Sequence, residues 1–379
     1  LHLSIRRQRQ MCIRDRSKPI IKSIEIKAAN IPLNNPVIAR IGTFPNWAFM
    51  TIEIKCSDNT TGKGYIGPYL IQYAPAIAMT MRELFKQYEG REIAPYQFFN
   101  EGMKSLSLLG RSGIAIYALA GLDITFWDAD AKIAGVPLCV HLGGSASPVK
   151  SYNSSGLWLK EPVSLYEETL SLLNKGGFEI VKVRLGRPSL SEDLKAIENV
   201  RKALGAEKLL LSDFNQGLTL PDAIMRLNGL DNEGLYWFEE PVVYHDFDAY
   251  KELRRRMNTP IMMGENFHGP DDAMRAMKDQ ICDFIMPDLM RIGGVSGWIK
   301  TASIAESFGI QVSTHLFPEV SSHLMRVTPT AHLLEWTDWA ELFLVDPYKI
   351  EKGHIVIPEV PGTGIEFKNE ILEKYKVAC

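Results

Sequence analysis

Apolar and polar positions follow two regimes along this chain. From Ile20 to Cys56 they alternate, in IKSIEIKAANIPL and again in WAFMTIEIKC, which predicts strands with one buried face. Between these runs NNPVIARIGTFPNW is punctuated by Pro and Gly and reads as a loop. Thr61–Gly67 adds a turn and a strand, and helical spacing follows through Ile77–Tyr88 and Ser112–Ile133. The second helical stretch, SGIAIYALAGLDITFWDADAKIAG, is apolar nearly all round and predicts a buried helix. Strands first and helices afterwards describe an α+β unit.

Near Pro148 the pattern changes. VKSYNSSG is a plausible opening strand, and short apolar runs then recur at intervals of roughly 20–30 residues, the length of a strand, a loop and a helix. Each run ends on polar residues: Lys182 and Arg184, Asp213 and Asn215, Glu239 and Glu240, Glu265, Asp288, His315, and Glu335. Polar residues at the C-terminal ends of serial strands describe a β/α barrel with its chemistry at one mouth. After Glu335 the beat stops, and HIVIPEVPGTGIEF (His354–Phe367) predicts a short strand and loop returning to the first unit. The expected organisation is an α/β protein with an α+β capping domain over 17–145, a barrel over 146–345 and a returning segment over 346–379.

Residues 1–16 stand apart. RRQRQMCIRDR is basic, lacks periodicity and is followed by no apolar signal region. It reads as a non-native extension, the translation of a sequencing-library adapter.

Composition narrows the classes. The chain has 379 residues, 46% hydrophobic and 23% charged, with a net charge of −3, which suits a soluble globular protein with a large core. Nothing marks a nucleic-acid or membrane surface. The five cysteines are scattered, with no CxxC pair, so a reducing cytoplasm is expected and no zinc site.

The candidate chemistry centres on Asp213, Glu239 and Glu265, which come from successive strand ends. Adjacent strands lie about 5 Å apart, so three carboxylates can converge on one hard cation. Oxygen ligands alone favour Mg²⁺ or Mn²⁺ over Zn²⁺. Asn215 could add a polar contact, and Glu240 is expected to support the site or to join an ion pair. Lys182 and Arg184 share one face of their strand and suit an anionic substrate. Asp288 and His315 end later strands; a carboxylate accepting from Nδ1 sets the tautomer of a general base. His268 lies close to the mouth in sequence.

With these residues in view, the chain from about residue 20 to 379 resembles the mandelate racemase group of the enolase superfamily. EEPVVYHDF, MGENFHGP, MPDLMRIGGVSGWI, STHLFPEVSSHL and TPTAHLLE carry the resemblance. It implies a modified TIM-type barrel with an α+β N-terminal cap. It implies Mg²⁺ on Asp213, Glu239 and Glu265, an Asp288–His315 base, and Glu335 as an acid toward the substrate carboxylate. Lys182 and Ser154 match groups that hold that carboxylate, and Asn215 matches one near the substrate hydroxyl. Val37, Ile41 and Phe44 fall in the loop that closes over the substrate side chain. The chain departs at Arg184, where the group carries a lysine that serves as the base on the second face. A guanidinium is almost never a free base.

The expected reaction is Mg²⁺-dependent removal of the α-proton of a 2-hydroxy carboxylate through an enediolate, in a racemase or epimerase. Two alternatives stay open: an acid-sugar dehydratase with His315 as its single base, and a non-catalytic relative that binds an organic acid. A homo-oligomer is expected, with a small carboxylate as the other partner.

Overall fold

The expected beat of strands from Pro148 onward is present in the computed structural model, which describes residues 18–379. The extension over 1–16 lies outside the described residues.

The first layer is a four-stranded antiparallel sheet. It contains β1 (Ile21–Ala39), β2 (Gly42–Cys56), β3 (Thr61–Ile66) and a final short strand, β14 (Lys376–Val377), in the order β14-β1-β2-β3. Helices α1 (Ala74–Phe85), α2 (Pro95–Ser105), α3 (Ile114–Ala134) and the single turn α4 (Leu138–His141) follow. α3 is the helix expected to be apolar all round, and it packs on β3 with one face. Glycine permits the approach: a Cβ on Gly62 would lie 2.4 Å from the Thr125 carbonyl oxygen. The opposite side of α3 meets the barrel. There Asp123 accepts from Ser296 N at 2.8 Å and from Ser296 Oγ at 2.6 Å, supplying from one domain the cap of a helix in the other.

One expectation is corrected in this layer. NNPVIARIGTFPNW is not a loop throughout, because β1 and β2 stay paired through it, with Val37 opposite Phe44 and Ala39 opposite Gly42. A bulge between Pro32 and Val37 absorbs the proline punctuation, and Val37, Ile38 and Phe44 favour extended backbone. The tip rests on the barrel. Leu159 N donates to Ile38 O at 2.9 Å, Asn35 Nδ2 to Ser155 O at 3.1 Å, and Arg40 Nη2 to Gly217 O at 3.3 Å.

The second layer is the barrel. Its parallel strands are β4 (Val149–Asn153), β5 (Ile180–Arg184), β6 (Leu209–Asp213), β7 (Leu235–Glu239), β8 (Ile261–Met263), β9 (Phe284–Ile285), β10 (Gln311–Val312) and β11 (Leu334–Trp336). They run in sequence order from β4 to β10, and β11 pairs back onto β4. Closure between β10 and β11 is made by Val312 opposite Ala331 and by Thr314 N donating to Leu333 O at 3.1 Å. The connecting helices are α5 (Leu165–Asn174), α6 (Leu190–Leu204), α7 (Leu220–Leu230), α8 (Phe247–Arg256), α9 (Pro270–Lys278), α10 (Gly294–Phe308) and α11 (Pro318–Met325). α6 opens with a capping box, Ser189 and Glu192 satisfying each other's backbone amides. Tyr152, Ile180, Leu211, Trp237, Met262, Met286 and Leu333 form a separate buried cluster contributed by the barrel strands.

Beyond β11 the chain forms the hairpin β12 (Ile350–Glu351) and β13 (His354–Ile355), and β13 pairs antiparallel with β4. It then runs beside the first sheet and its helices: Leu138 N donates to Gly362 O at 2.8 Å, and α12 (Asn369–Lys374) leads into β14 beside β1. Among the described residues no helix is long and apolar enough to cross a membrane.

Candidate active site

The strand ends deliver their side chains to one mouth. Lys182 and Arg184 lie on β5, Asp213 and Glu239 end β6 and β7, and Glu265, Asp288 and His315 follow β8, β9 and β10 directly. Glu335 lies within β11. The polar residues gather at the C-terminal ends of the strands, where Arg184 still pairs with Asp213 and Asp213 with Glu239. The backbones of Asp288 and His315 make a parallel bridge there.

Asp213, Glu239 and Glu265 each offer an oxygen, and the three oxygens lie within 4.8 Å of one another. This crowding is unfavourable without a cation. Burial, and next the Asp213 carboxylate, push Glu239 well above its ordinary value. The donor set is oxygen alone, so a hard divalent ion fits it. Asn215 does not stand apart as a separate contact: its Nδ2 and backbone N donate to Asp213 at 3.0 and 2.8 Å, which orients that carboxylate. Glu240 is buried behind the cluster. It accepts from Gly264 N at 3.2 Å and from Asn266 Nδ2 at 2.6 Å, and Asn266 also donates to Glu265 at 3.1 Å. Burial, followed by the charge of Glu265, pushes Glu240 up to about 8.

Lys182 bridges two halves of the site. Its Nζ lies 2.7 Å from Glu239 Oε1, 2.7 Å from Glu335 Oε1 and 3.6 Å from Asp213 Oδ2. Burial alone would lower its affinity for a proton, but these carboxylates outweigh burial and hold Lys182 above its ordinary value. Glu335 accepts from Lys182, from Ser154 Oγ at 2.7 Å and from Leu316 N at 2.9 Å. Although burial opposes its charge, Lys182, His315 and Arg184 draw it down to about 2. In this arrangement three donors hold Glu335, the residue that the resemblance implies as an acid toward the substrate carboxylate.

His315 Nδ1 lies 2.7 Å from Asp288 Oδ2, and Nε2 lies 3.2 Å from Glu265 Oε2. Burial disfavours the imidazolium, yet Glu265, Asp288 and Glu335 together push His315 up to about 9. Asp288 also accepts from Arg291 N at 2.9 Å, and Arg291 Nη1 donates to Glu265 O at 3.0 Å. Arg291 stacks 4.5 Å over the Tyr69 ring, so a capping-domain residue touches the group bracing both Glu265 and Asp288. His268 Nδ1 accepts from Gly113 N at 3.3 Å and its ring stacks on Tyr117, an interdomain contact.

Arg184 turns away from base chemistry. Nη1 donates to Ser154 O and Gly156 O, both at 3.2 Å, and Nη2 donates to Ser154 Oγ at 2.8 Å. Its guanidinium stacks 4.0 Å over Trp158. From there aromatic rings continue toward the cap: Trp158 to Trp339 at 6.3 Å, Trp339 to Trp47 at 4.5 Å, and Trp47 to Tyr69 at 5.1 Å and to Phe44 at 5.9 Å. Val37 is buried, whereas Ile41 is 56% exposed at the hairpin tip. Trp158, Trp339 and Arg291 were not singled out by pattern. Trp158 and Trp339 lie in irregular segments outside the strand beat, and Arg291 follows its strand by several residues.

Comparison with known proteins agrees with this geometry. Residues 165–371 match the family described as enolase C-terminal domain-like, and residues 21–143 match the mandelate racemase / muconate lactonizing enzyme N-terminal domain. A crystal structure of an enolase from the alpha proteobacterium bal199 with bound magnesium is 39% identical with a TM-score of 0.93, over 95% of this chain and 100% of that one. An enolase from Bradyrhizobium in complex with magnesium and mandelic acid is 30% identical with a TM-score of 0.91, over 95% and 99%. L-talarate/galactarate dehydratase of Salmonella typhimurium strain LT2 is 30% identical over 72% of this chain and 68% of its own length. A hydrophobic dipeptide epimerase from Enterococcus faecalis is 27% identical over 83% and 86%. This chain therefore belongs to the mandelate racemase group of the enolase superfamily. It is an isomerase or a lyase of that superfamily, working by magnesium-dependent proton abstraction.

Proposed function

We propose that this enzyme removes the α-proton of a 2-hydroxy carboxylate from one face only, with His315 as the base, and that its reaction is a dehydration. Asp213, Glu239 and Glu265 would hold Mg²⁺, which supplies Lewis-acid stabilisation of the negative charge developing on the substrate. The remaining steps belong to side chains. Lys182, beside that cluster, stabilises the carboxylate as it takes up charge. Asp288 fixes His315 with its proton on Nδ1, leaving Nε2 to accept the α-proton. The Glu265 carboxylate is the foremost of the groups that push His315 up against burial, so a cation held by Glu265 would oppose that push. The protonated imidazole can then return that proton to a departing β-hydroxyl on the same face. The Cα–H and C–OH bonds break, water leaves, and the enol tautomerises to a 2-keto acid.

The observation that carries this reading is the engagement of Arg184. Its terminal nitrogens donate to Ser154 and Gly156, and its plane is stacked on Trp158. No base then stands on the second face. Racemisation is the second reading, favoured by the aromatic lining of the cap at Phe44, Trp47 and Tyr69, which suits a substituent without hydroxyl groups.

The test is a library of 2-hydroxy acids and acid sugars incubated with Mg²⁺ in D₂O, followed by NMR and by 2-keto acid formation. Exchange in one configuration only, with a 2-keto product from a 2,3-dihydroxy acid, is expected. Equal exchange in both enantiomers would overturn the one-base reading and establish a racemase. No exchange in any compound would overturn the 2-hydroxy acid reading of the substrate.

A further inference from the structure

The contacts of Arg184 fix the direction of one proton. Arg184 Nη2 donates to Ser154 Oγ at 2.8 Å, and Ser154 Oγ lies 2.7 Å from Glu335 Oε1. A guanidinium has donors and no acceptor, so this contact uses a lone pair of the hydroxyl. A serine hydroxyl carries a single proton. That proton is left for Glu335, which accepts it.

We infer that Arg184 is a positioning residue acting through Ser154: it commits the Ser154 hydroxyl to Glu335 and so holds that carboxylate beside Lys182. All three side chains are buried, with Ser154 at 0%, Glu335 at 1% and Arg184 at 5% exposure, so no bulk water competes for the hydroxyl. The serine is fixed at its backbone as well. Its N donates to Trp336 O at 3.0 Å, and its O accepts from Arg184 Nη1. Arg184 thus grips one residue at two points, through the planar fork that distinguishes arginine from lysine. Replacing a lysine by Arg184 exchanges a movable proton for a fixed polarity in the chain Arg184–Ser154–Glu335. This assignment goes beyond the one-face reading and draws on it only for the role of the carboxylate that Glu335 faces.

A double-mutant cycle tests it, with oxalate as a planar dianionic probe titrated into the Mg²⁺-loaded enzyme by calorimetry. Ser154→Ala and Arg184→Met should each weaken oxalate by about 10- to 100-fold, the effect of losing a hydrogen bond to a charged group. In the Ser154→Ala background Arg184→Met should add little. Additive losses would show that Arg184 acts through its other contacts, the loop backbone and Asp213 at 3.6 Å from its Nε, and the inference would fall. Should Arg184→Met not fold, neutron diffraction of the perdeuterated wild type decides. A deuteron between Ser154 Oγ and Glu335 Oε1 is expected, and one directed anywhere else overturns the proposal. Failure of the wild type to bind oxalate with Mg²⁺ counts against the proton-abstraction reading instead, and the neutron result still decides this one.

Discussion

Asp288 Oδ2 lies 2.7 Å from His315 Nδ1, and this contact determines which imidazole nitrogen is available for chemistry. An acceptor on Nδ1 leaves Nε2 as the basic atom, and Nε2 faces Glu265 at the metal-binding cluster. Asp288→Asn can present its amide nitrogen to Nδ1 and so favours the opposite tautomer. Solvent deuterium exchange should fall by about 10²–10⁴-fold, the usual worth of a general base, while the melting temperature changes little. Unchanged exchange in this variant would remove Asp288 from the mechanism.

Glu239 carries two duties, as an oxygen donor in the cluster and as a partner of Lys182 at 2.7 Å. Glu239→Gln should weaken Mg²⁺ by at least about 100-fold in calorimetry, above the range for residues that only support a ligand. Wild-type protein should gain thermal stability from added Mg²⁺ and lose that gain with a chelator, since an ion that binds the folded state shifts the equilibrium toward it. A variant that binds Mg²⁺ as tightly as wild type would place the ion elsewhere.

Glu319 on α11 is buried at the domain interface and accepts from Tyr65 of β3, with Glu341 and Tyr348 as further acidic neighbours. Burial raises its carboxyl from 4.5 to about 7. The folded state thus holds this proton more tightly than the unfolded chain. The resulting stabilisation is full below about pH 4.5 and is lost as pH rises through about 7, a loss of about 3 kcal/mol. Glu319→Gln can still accept from Tyr65 and does not titrate. Wild type and variant should melt together near pH 4, and wild type should melt lower at pH 8. Parallel melting curves at every pH would show that Glu319 does not titrate in this way.

Asp123 on α3 caps α10 across the domain boundary, where the helix's own preceding residue, Gly293, has no side chain to do so. Asp123→Ala should cost about 1–2 kcal/mol from the lost cap. Urea unfolding followed by circular dichroism would measure it, with Asp123→Asn retaining most of the stability because its amide oxygen can still accept.

Much of the mouth was legible because a parallel barrel writes its strands as short apolar runs and its active site as the polar residues that end them. Asp213, Glu239, Glu265, Asp288 and His315 all follow that rule, and Glu335 stands one residue before the end of β11. The hairpin tip around Val37 and Phe44 was not, since proline and glycine signalled a loop while a bulge kept the strands paired. The anchoring of Glu335 was not legible either. It depends on Ser154, 181 residues away in sequence, and on a backbone amide, neither of which spacing along the chain reveals. Trp158 and Trp339 meet only after the barrel closes, so no local period could pair them.

The pairing of β14 with β1 bears on how the protein emerges from the ribosome. Ala28 opposes Val377, so one edge of β1 waits for a strand that is made only after the whole barrel. Until β14 is made, the nascent cap exposes the backbone amides and carbonyls of that edge while the barrel is still being assembled. An open strand edge is a template for pairing with other chains. Slow or interrupted translation between β11 and β14 should therefore favour association between incomplete chains, and the arrival of β14 is the event that closes this edge against them.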